Sequence, residues 1–235
     1  MSGRLGRLIL VPSPIEEIGE ISESLKTTLL DAFEKQDIIV VEDPKPARRR
    51  WLGWGLPRAA IENFVHYNEH TRLSLDPQLL DHLKEGRNVF MLSDGGLPGF
   101  CDPGRSLIFE SHKQGFEVTM TPFPNSLLSA ITLSGFTEGP FEFLGFPPKG
   151  KDERKVFFNT LGKSRGVSAF MDTPYRLERV LEECQAGLES SSLVCIALDI
   201  GRDSQEIIWG KAGKTLTNSL KKGLGKREFV FVVKS

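Results

Sequence analysis

Asn88-Val89-Phe90-Met91-Leu92-Ser93-Asp94-Gly95-Gly96-Leu97-Pro98-Gly99-Phe100-Cys101-Asp102-Pro103-Gly104 is the stretch that decides the fold. It opens on an apolar run that ends on an acid, the pattern of a strand buried on both faces. Residues 93–104 then hold four glycines, two prolines and two aspartates, a turn-forming mixture that suits neither helix nor strand. Residues 103–114 suit a helix, and Gly115 suits its C-terminal stop before a strand at 116–120. Strand, loop, helix and strand in that order are the rhythm of a parallel sheet built from βαβ units.

The same rhythm extends in both directions. Toward the N-terminus, a strand at 7–12 passes through Ser13-Pro14 into a helix expected over 15–33. A strand at 37–43 again ends in acids, and a helix over 75–83 is stopped by Gly86. Toward the C-terminus, Thr121-Pro122-Phe123-Pro124-Asn125 breaks the alternation, so two domains are expected, 1–121 and 122–235. The second reads as a helix at 126–133, a strand at 142–146, a polar loop at 147–151 and a helix at 152–161. A strand at 167–171, a helix at 176–184 and a strand at 192–197 follow. Two late strands, 206–211 and 228–233, flank one helix at 215–222 and predict a mixed sheet. The expected class is therefore α/β, with a parallel N-terminal sheet and a mixed C-terminal one.

Composition narrows the function. With 235 residues, 39% hydrophobic and 26% charged, the chain can bury one or two real cores. A formal net charge of -1 excludes a general positive field for coating nucleic acid, but not local basic patches. Three such clusters occur: Lys45, Arg48, Arg49 and Arg50 with Arg58; Lys149, Lys151, Arg154 and Lys155; and Lys221, Lys222, Lys226 and Arg227. Each also suits a solvated surface. Cys101, Cys184 and Cys195 are too far apart for a zinc knuckle and form no disulfide framework, and His66 and His70 stand in no metal-binding motif, so no metal is expected. No apolar run is long enough to span a bilayer, and the N-terminus lacks signal-peptide anatomy, which makes the cytoplasm the expected compartment.

Ligands of open α/β sheets bind beyond the carboxyl ends of the strands. The 93–104 loop is placed there, and its glycines let backbone approach a ligand while its prolines hold the shape. Backbone N–H groups beside the Asp94 carboxylate suit a zwitterion. The same stretch also suits an ordinary tight connection in which Asp102 caps the next helix. Val11-Pro12-Ser13-Pro14-Ile15 is no glycine fingerprint and has few free N–H groups, which disfavours a dinucleotide. Asp199 and Asp203 read as exposed loop acids rather than as a catalytic pair.

Taken in order, these loops resemble the tetrapyrrole methylase superfamily, in particular the branch that methylates a cytidine 2′-hydroxyl of small-subunit ribosomal RNA. Val11-Pro12-Ser13-Pro14-Ile15 is similar to V-P-T-P-I, and Glu42-Asp43 stands in place of the start of E-D-T-R. Asn68-Glu69 resembles part of H-N-E, and residues 93–104 are similar to S-D-A-G-T-P-G-I-S-D-P-G. Residues 143–149 resemble F-x-G-F-L-P-x-K, residues 173–177 S-P-H-R-L, and residues 197–200 A-R-E-L, with Glu206-Ile207-Ile208-Trp209-Gly210 in place of E-E-I-W-x-G. Departures concentrate outside the glycine loop: Glu16-Glu17 replace G-N, Pro44-Lys45 replace T-R, and Leu198 replaces an arginine.

The resemblance implies two α/β domains with S-adenosylmethionine in the cleft between them, usually in a homodimer. It implies donor contacts from Pro14, from Asp94, Gly95, Gly96, Leu97 and Pro98, from Asn125 and Ser126, and from Met171 and Ala197. Candidates to assist deprotonation of an acceptor hydroxyl are Asp94, Glu42, Asp43 and Lys149, and nothing in the sequence selects among them. The expected partner is ribosomal RNA or the small ribosomal subunit, with residues 45–50 and 149–155 on phosphates. The alternatives are methylation of a tetrapyrrole, against which the missing G-x-G-x-G-D opening stands, and a non-catalytic RNA- or metabolite-binding relative.

Overall fold

The computed structural model describes residues 4–14, 19–100, 103–123, 125–136, 139–163 and 165–235. The chain divides into two units, residues 1–123 and 124–235.

In the first unit, strands β1 (Arg7–Val11), β2 (Ile38–Val41), β3 (Val65–His66), β4 (Val89–Leu92) and β5 (Glu117–Met120) form one sheet in the order β3-β2-β4-β1-β5. Every neighbouring pair is parallel. Alternation along each strand sends Ile9, Val11, Ile39, Val41, Phe90 and Leu92 to one face, and Leu8, Val40, Val89 and Met91 to the other. The first face is covered by α1 (Glu23–Glu34) and α2 (Pro44–Gly53), through Leu29, Ala32 and Trp51. The second is covered by α3 (Arg72–Lys84) and α4 (Arg105–Lys113), through Leu79, Leu83 and Leu107. Burial on both sides is why these strands read as unbroken apolar runs.

The second unit carries β6 (Phe141–Phe143), β7 (Val167–Met171), β8 (Leu193–Leu198), β9 (Glu206–Lys211) and β10 (Phe229–Lys234), in the order β6-β7-β10-β8-β9. The β6–β7 pair is parallel and the other three are antiparallel, so the sheet is mixed, as expected. Helix α5 (Ser126–Ser134) packs Leu127, Ala130 and Ile131 on one face. Helices α6 (Lys151–Leu161), α7 (Leu177–Gly187) and α8 (Ala212–Lys222) supply Phe158, Leu181 and Leu216 to the other.

Three differences from the sequence reading have physical causes. The expected helix over 15–33 shrinks to Glu23–Glu34, because the Ser22 hydroxyl caps it by accepting from Leu25 N–H at 3.2 Å; residues 15–18 lie outside those described. Helix α2, the 3-10 turn Arg58–Asn63 and β3 were not expected at all. Two prolines hid α2, yet Pro44 occupies its first turn, where a missing N–H does no harm, and Asp43 caps it by accepting from Lys45 N–H at 2.9 Å. Helix α4 starts at Arg105 with Gly104 at its N-cap, and Asp102, the expected cap, lies outside the described residues.

Candidate functional site

Strand order places the site. From β1 the chain moves past β4 to β2, and from β4 it crosses to the opposite side of β1 to make β5. The carboxyl ends of β1 and β4 are thus the point where the winding reverses, the place where open α/β sheets bind ligands. Register puts Val11 beside Leu92, so the loops that follow leave the sheet side by side.

Those two loops are stitched together. Ser13 N–H donates to the Gly96 carbonyl at 3.1 Å, and Gly96 N–H donates back to Ser13 at 2.8 Å. The Ser93 hydroxyl donates to the same Gly96 carbonyl at 2.8 Å. Gly96 has φ +97°, a backbone state that a side chain strains, and a Cβ built on it would meet nothing within 4 Å. Open space therefore borders the backbone at this turn. Residues 94–97 are half-buried and Pro98 is buried. Beside them a small pocket is lined by Glu42, Tyr67, Ser93, Pro98 and Pro103, at the ends of β2, β3 and β4.

Asp94 is a half-buried acid of this cluster. Its carboxyl is raised above the ordinary aspartate range, first by burial and then by the neighbouring Asp43 carboxylate; the Asp43 backbone N–H, Arg50 and His66 oppose the rise. Of the other candidate acids and bases, Glu42 is half-buried, while Asp43 and Lys149 are exposed.

Arg50 is the residue the sequence reading misplaced. Expected on a basic surface, it is 4% exposed, and its guanidinium donates to the Pro14 carbonyl at 2.5 Å and to the Asp94 carbonyl. A signal existed: Ala47, Arg50, Trp51 and Trp54 recur at helical spacing, and all four are buried. Lys45, Arg48, Arg49 and Arg58 remain exposed. Arg154 needs the same correction, since it is 1% exposed and paired with Asp172 at 2.9 Å and Glu183 at 2.6 Å, whereas Lys149, Lys151 and Lys155 are exposed. Asp199, expected to be an exposed loop acid, is 5% exposed and bridges to Arg227 at 2.7 Å; Asp203 is exposed.

The second unit's candidates are spread over three elements. Asn125 caps α5, accepting from Leu128 N–H at 3.0 Å, and Ser126 is the first residue of that helix. Met171 ends β7, half-buried, with its N–H donated to Gly145 at 3.0 Å. Ala197 is fully buried, paired with Val230 on one side and Ile207 on the other, and offers no side-chain surface to a ligand. Among the described residues no group of three His, Cys, Asp or Glu side chains could hold a metal, and no helix is long and apolar enough to cross a membrane.

Known proteins are similar to this chain. The family model of the tetrapyrrole (corrin/porphyrin) methylases matches residues 21–215. The chain is 31% identical over 219 residues to the ribosomal RNA small subunit methyltransferase I of Thermotoga maritima, covering 93% of this chain and 94% of that one. The solved structure of the methyltransferase CobJ superposes with a TM-score of 0.59 at 20% identity, over all of this chain and 95% of that one. The uroporphyrin-III C-methyltransferase of Thermus thermophilus, complexed with S-adenosyl homocysteine, superposes with a TM-score of 0.55 at 15% identity, over 98% of this chain and 97% of that one.

Proposed function

The chain belongs to the tetrapyrrole (corrin/porphyrin) methylase family and is a methyltransferase; from that premise we propose that it moves the methyl group of S-adenosylmethionine to a cytidine 2′-hydroxyl of small-subunit ribosomal RNA. The observation that carries the acceptor is the match along nearly the whole of both chains to a ribosomal RNA small subunit methyltransferase I. The donor reading is supported by the cradle at the ends of β1 and β4. Space beside Gly96, half-buried backbone at Gly95 and Leu97, and the Asp94 carboxylate suit a ligand that carries an ammonium and a carboxylate.

In this reading Pro14, Asp94, Gly95, Gly96, Leu97 and Pro98 hold the donor. Bound S-adenosylmethionine supplies a methyl group already activated by its sulfonium. What remains for the protein is alignment, worth roughly 7–11 kcal/mol when ideal, and removal of the hydroxyl proton. Asp94, Glu42, Asp43 and Lys149 all stay open for that second task, and burial raises the carboxyl of Asp94 above the ordinary aspartate range. Lys45, Arg48 and Arg58 give the first unit an exposed cationic face for phosphates, which positions RNA without reading its sequence. We take the enzyme to act in the cytoplasm as a homodimer.

The test is incubation with methyl-labelled S-adenosylmethionine and small ribosomal subunits from a strain lacking this gene. Label on a single cytidine ribose is the expected result. Label on a porphyrinoid and none on the subunit would transfer the assignment to tetrapyrroles. Donor binding without transfer to either would leave a binding protein.

A further inference from the structure

We propose that Arg50 is a positioning residue of the methyl-donor site: its buried guanidinium ties the Pro14 carbonyl to the Asp94 carbonyl and so sets the spacing of the two loops that take the donor. The proposal rests on the donor reading above, and it assigns to that site a residue outside the loops themselves.

Arg50 lies on α2, not on either loop, and reaches both from below with one planar group. A guanidinium suits the task because its N–H groups diverge at fixed angles, so two acceptors bonded to it are held at a fixed separation. Lysine, a single point charge on a flexible stem, cannot impose that geometry. At 4% exposure the group is shielded from water, and neither carbonyl can trade it cheaply for solvent.

The bond to Asp94 has a second consequence. A trans peptide is planar, with its C=O and N–H on opposite sides. Holding the Asp94 carbonyl toward Arg50 therefore turns the Gly95 N–H away from α2. Arg50 on α2 thus fixes the carbonyl of the residue that opens the glycine turn. The Ser13–Gly96 bridge fixes the loops to each other, and Arg50 fixes both to the sheet's helical layer.

The variants are Arg50→Lys, which keeps charge and loses the fork, and Arg50→Gln, which keeps one donor group and loses charge. Each is titrated with S-adenosyl homocysteine by calorimetry, and the KM for donor, the KM for RNA and kcat are measured separately. The expected result for both is donor affinity at least ten-fold weaker with the KM for RNA unchanged, while the unliganded protein still melts cooperatively. A merely structural residue would lower the melting temperature and leave donor affinity and the KM ratio within two-fold at a temperature where the protein is folded; that outcome overturns the proposal. Loss of all cooperative melting in both variants also overturns it, because Arg50 would then be a scaffold residue. If the wild-type protein binds no S-adenosyl homocysteine, the donor reading itself fails, which separates that failure from this one.

Discussion

Arg154 and Asp172 form a 2.9 Å ion pair in which both side chains are 1% exposed, and the same guanidinium grips Glu183 through both of its oxygens. The pair joins the first turn of α6 to the residue that follows Met171 at the end of β7, and a further bond at 3.3 Å reaches the Pro148 carbonyl. Removing one partner strands a buried charge, so Arg154→Met should destabilise the protein by about 3–5 kcal/mol. Arg179, which also bonds Glu183 but is 49% exposed at its side chain, should cost about 1 kcal/mol or less on change to alanine. Urea unfolding of both variants checks the contrast, and equal losses would contradict it.

Glycine substitutions should separate stability from donor binding. Gly104 has φ +123°, and a Cβ there would lie 2.6 Å from Met91 Sδ, so Gly104→Ala combines backbone strain with overpacking and should cost about 2–5 kcal/mol. At Gly96 a Cβ meets nothing, so Gly96→Ala should cost only the backbone strain of about 1–2 kcal/mol. Its methyl would stand in the space we assign to the donor, and donor affinity should fall more than ten-fold. Calorimetry at a temperature where Gly96→Ala is folded provides the measurement; unchanged affinity would remove Gly96 from the site.

Asp94 predicts an unusual pH dependence. Its carboxyl is raised in the folded state, chiefly by burial, so the folded protein holds the proton at a pH where the unfolded chain has released it. Stability from this group therefore falls as pH rises from the ordinary aspartate range through the raised value. Asp94→Asn should gain stability relative to wild type at neutral pH, with the gain shrinking toward acid. Glu183 runs the other way. Burial pulls its carboxyl up, but the bonds from Arg154 and then Arg179 outweigh that and hold it low, so its contribution is present at neutral pH and lost as pH falls through the depressed value. Unfolding free energies across pH for Asp94→Asn, Glu183→Gln and wild type test both signs. A pH-independent gap for Asp94→Asn would refute the first.

The cationic face should act on RNA alone. Lys45→Ala, Arg48→Ala and Arg58→Ala each remove an exposed charge. Where that charge sits on a phosphate, the slope of log affinity against log salt should flatten by about 1. Donor affinity should stay within two-fold. A filter-binding salt titration with small subunits reads the slope, and three unchanged slopes would place the RNA elsewhere.

The two sheets, the mixed character of the second and the turn at residues 93–98 were all legible in the amino-acid order. They depend on local signals: apolar runs of strand length, helical spacing between them, and glycines and prolines where the chain must turn. Helix α2 escaped because Pro44 and Pro46 look like breakers, and only the cap at Asp43 reveals that the first turn tolerates them. What tertiary structure alone decided is which partners the inward-facing cations meet. Arg48, Arg49 and Arg50 are adjacent and chemically identical, yet only Arg50 is 4% exposed, because a 3.6-residue repeat turns it toward the sheet, where two carbonyls from loops 36 and 44 residues away in sequence wait for it. Composition along a line carries the periodicity of single elements; it does not carry the partner that a buried charge will meet, which exists only once distant segments have been brought together.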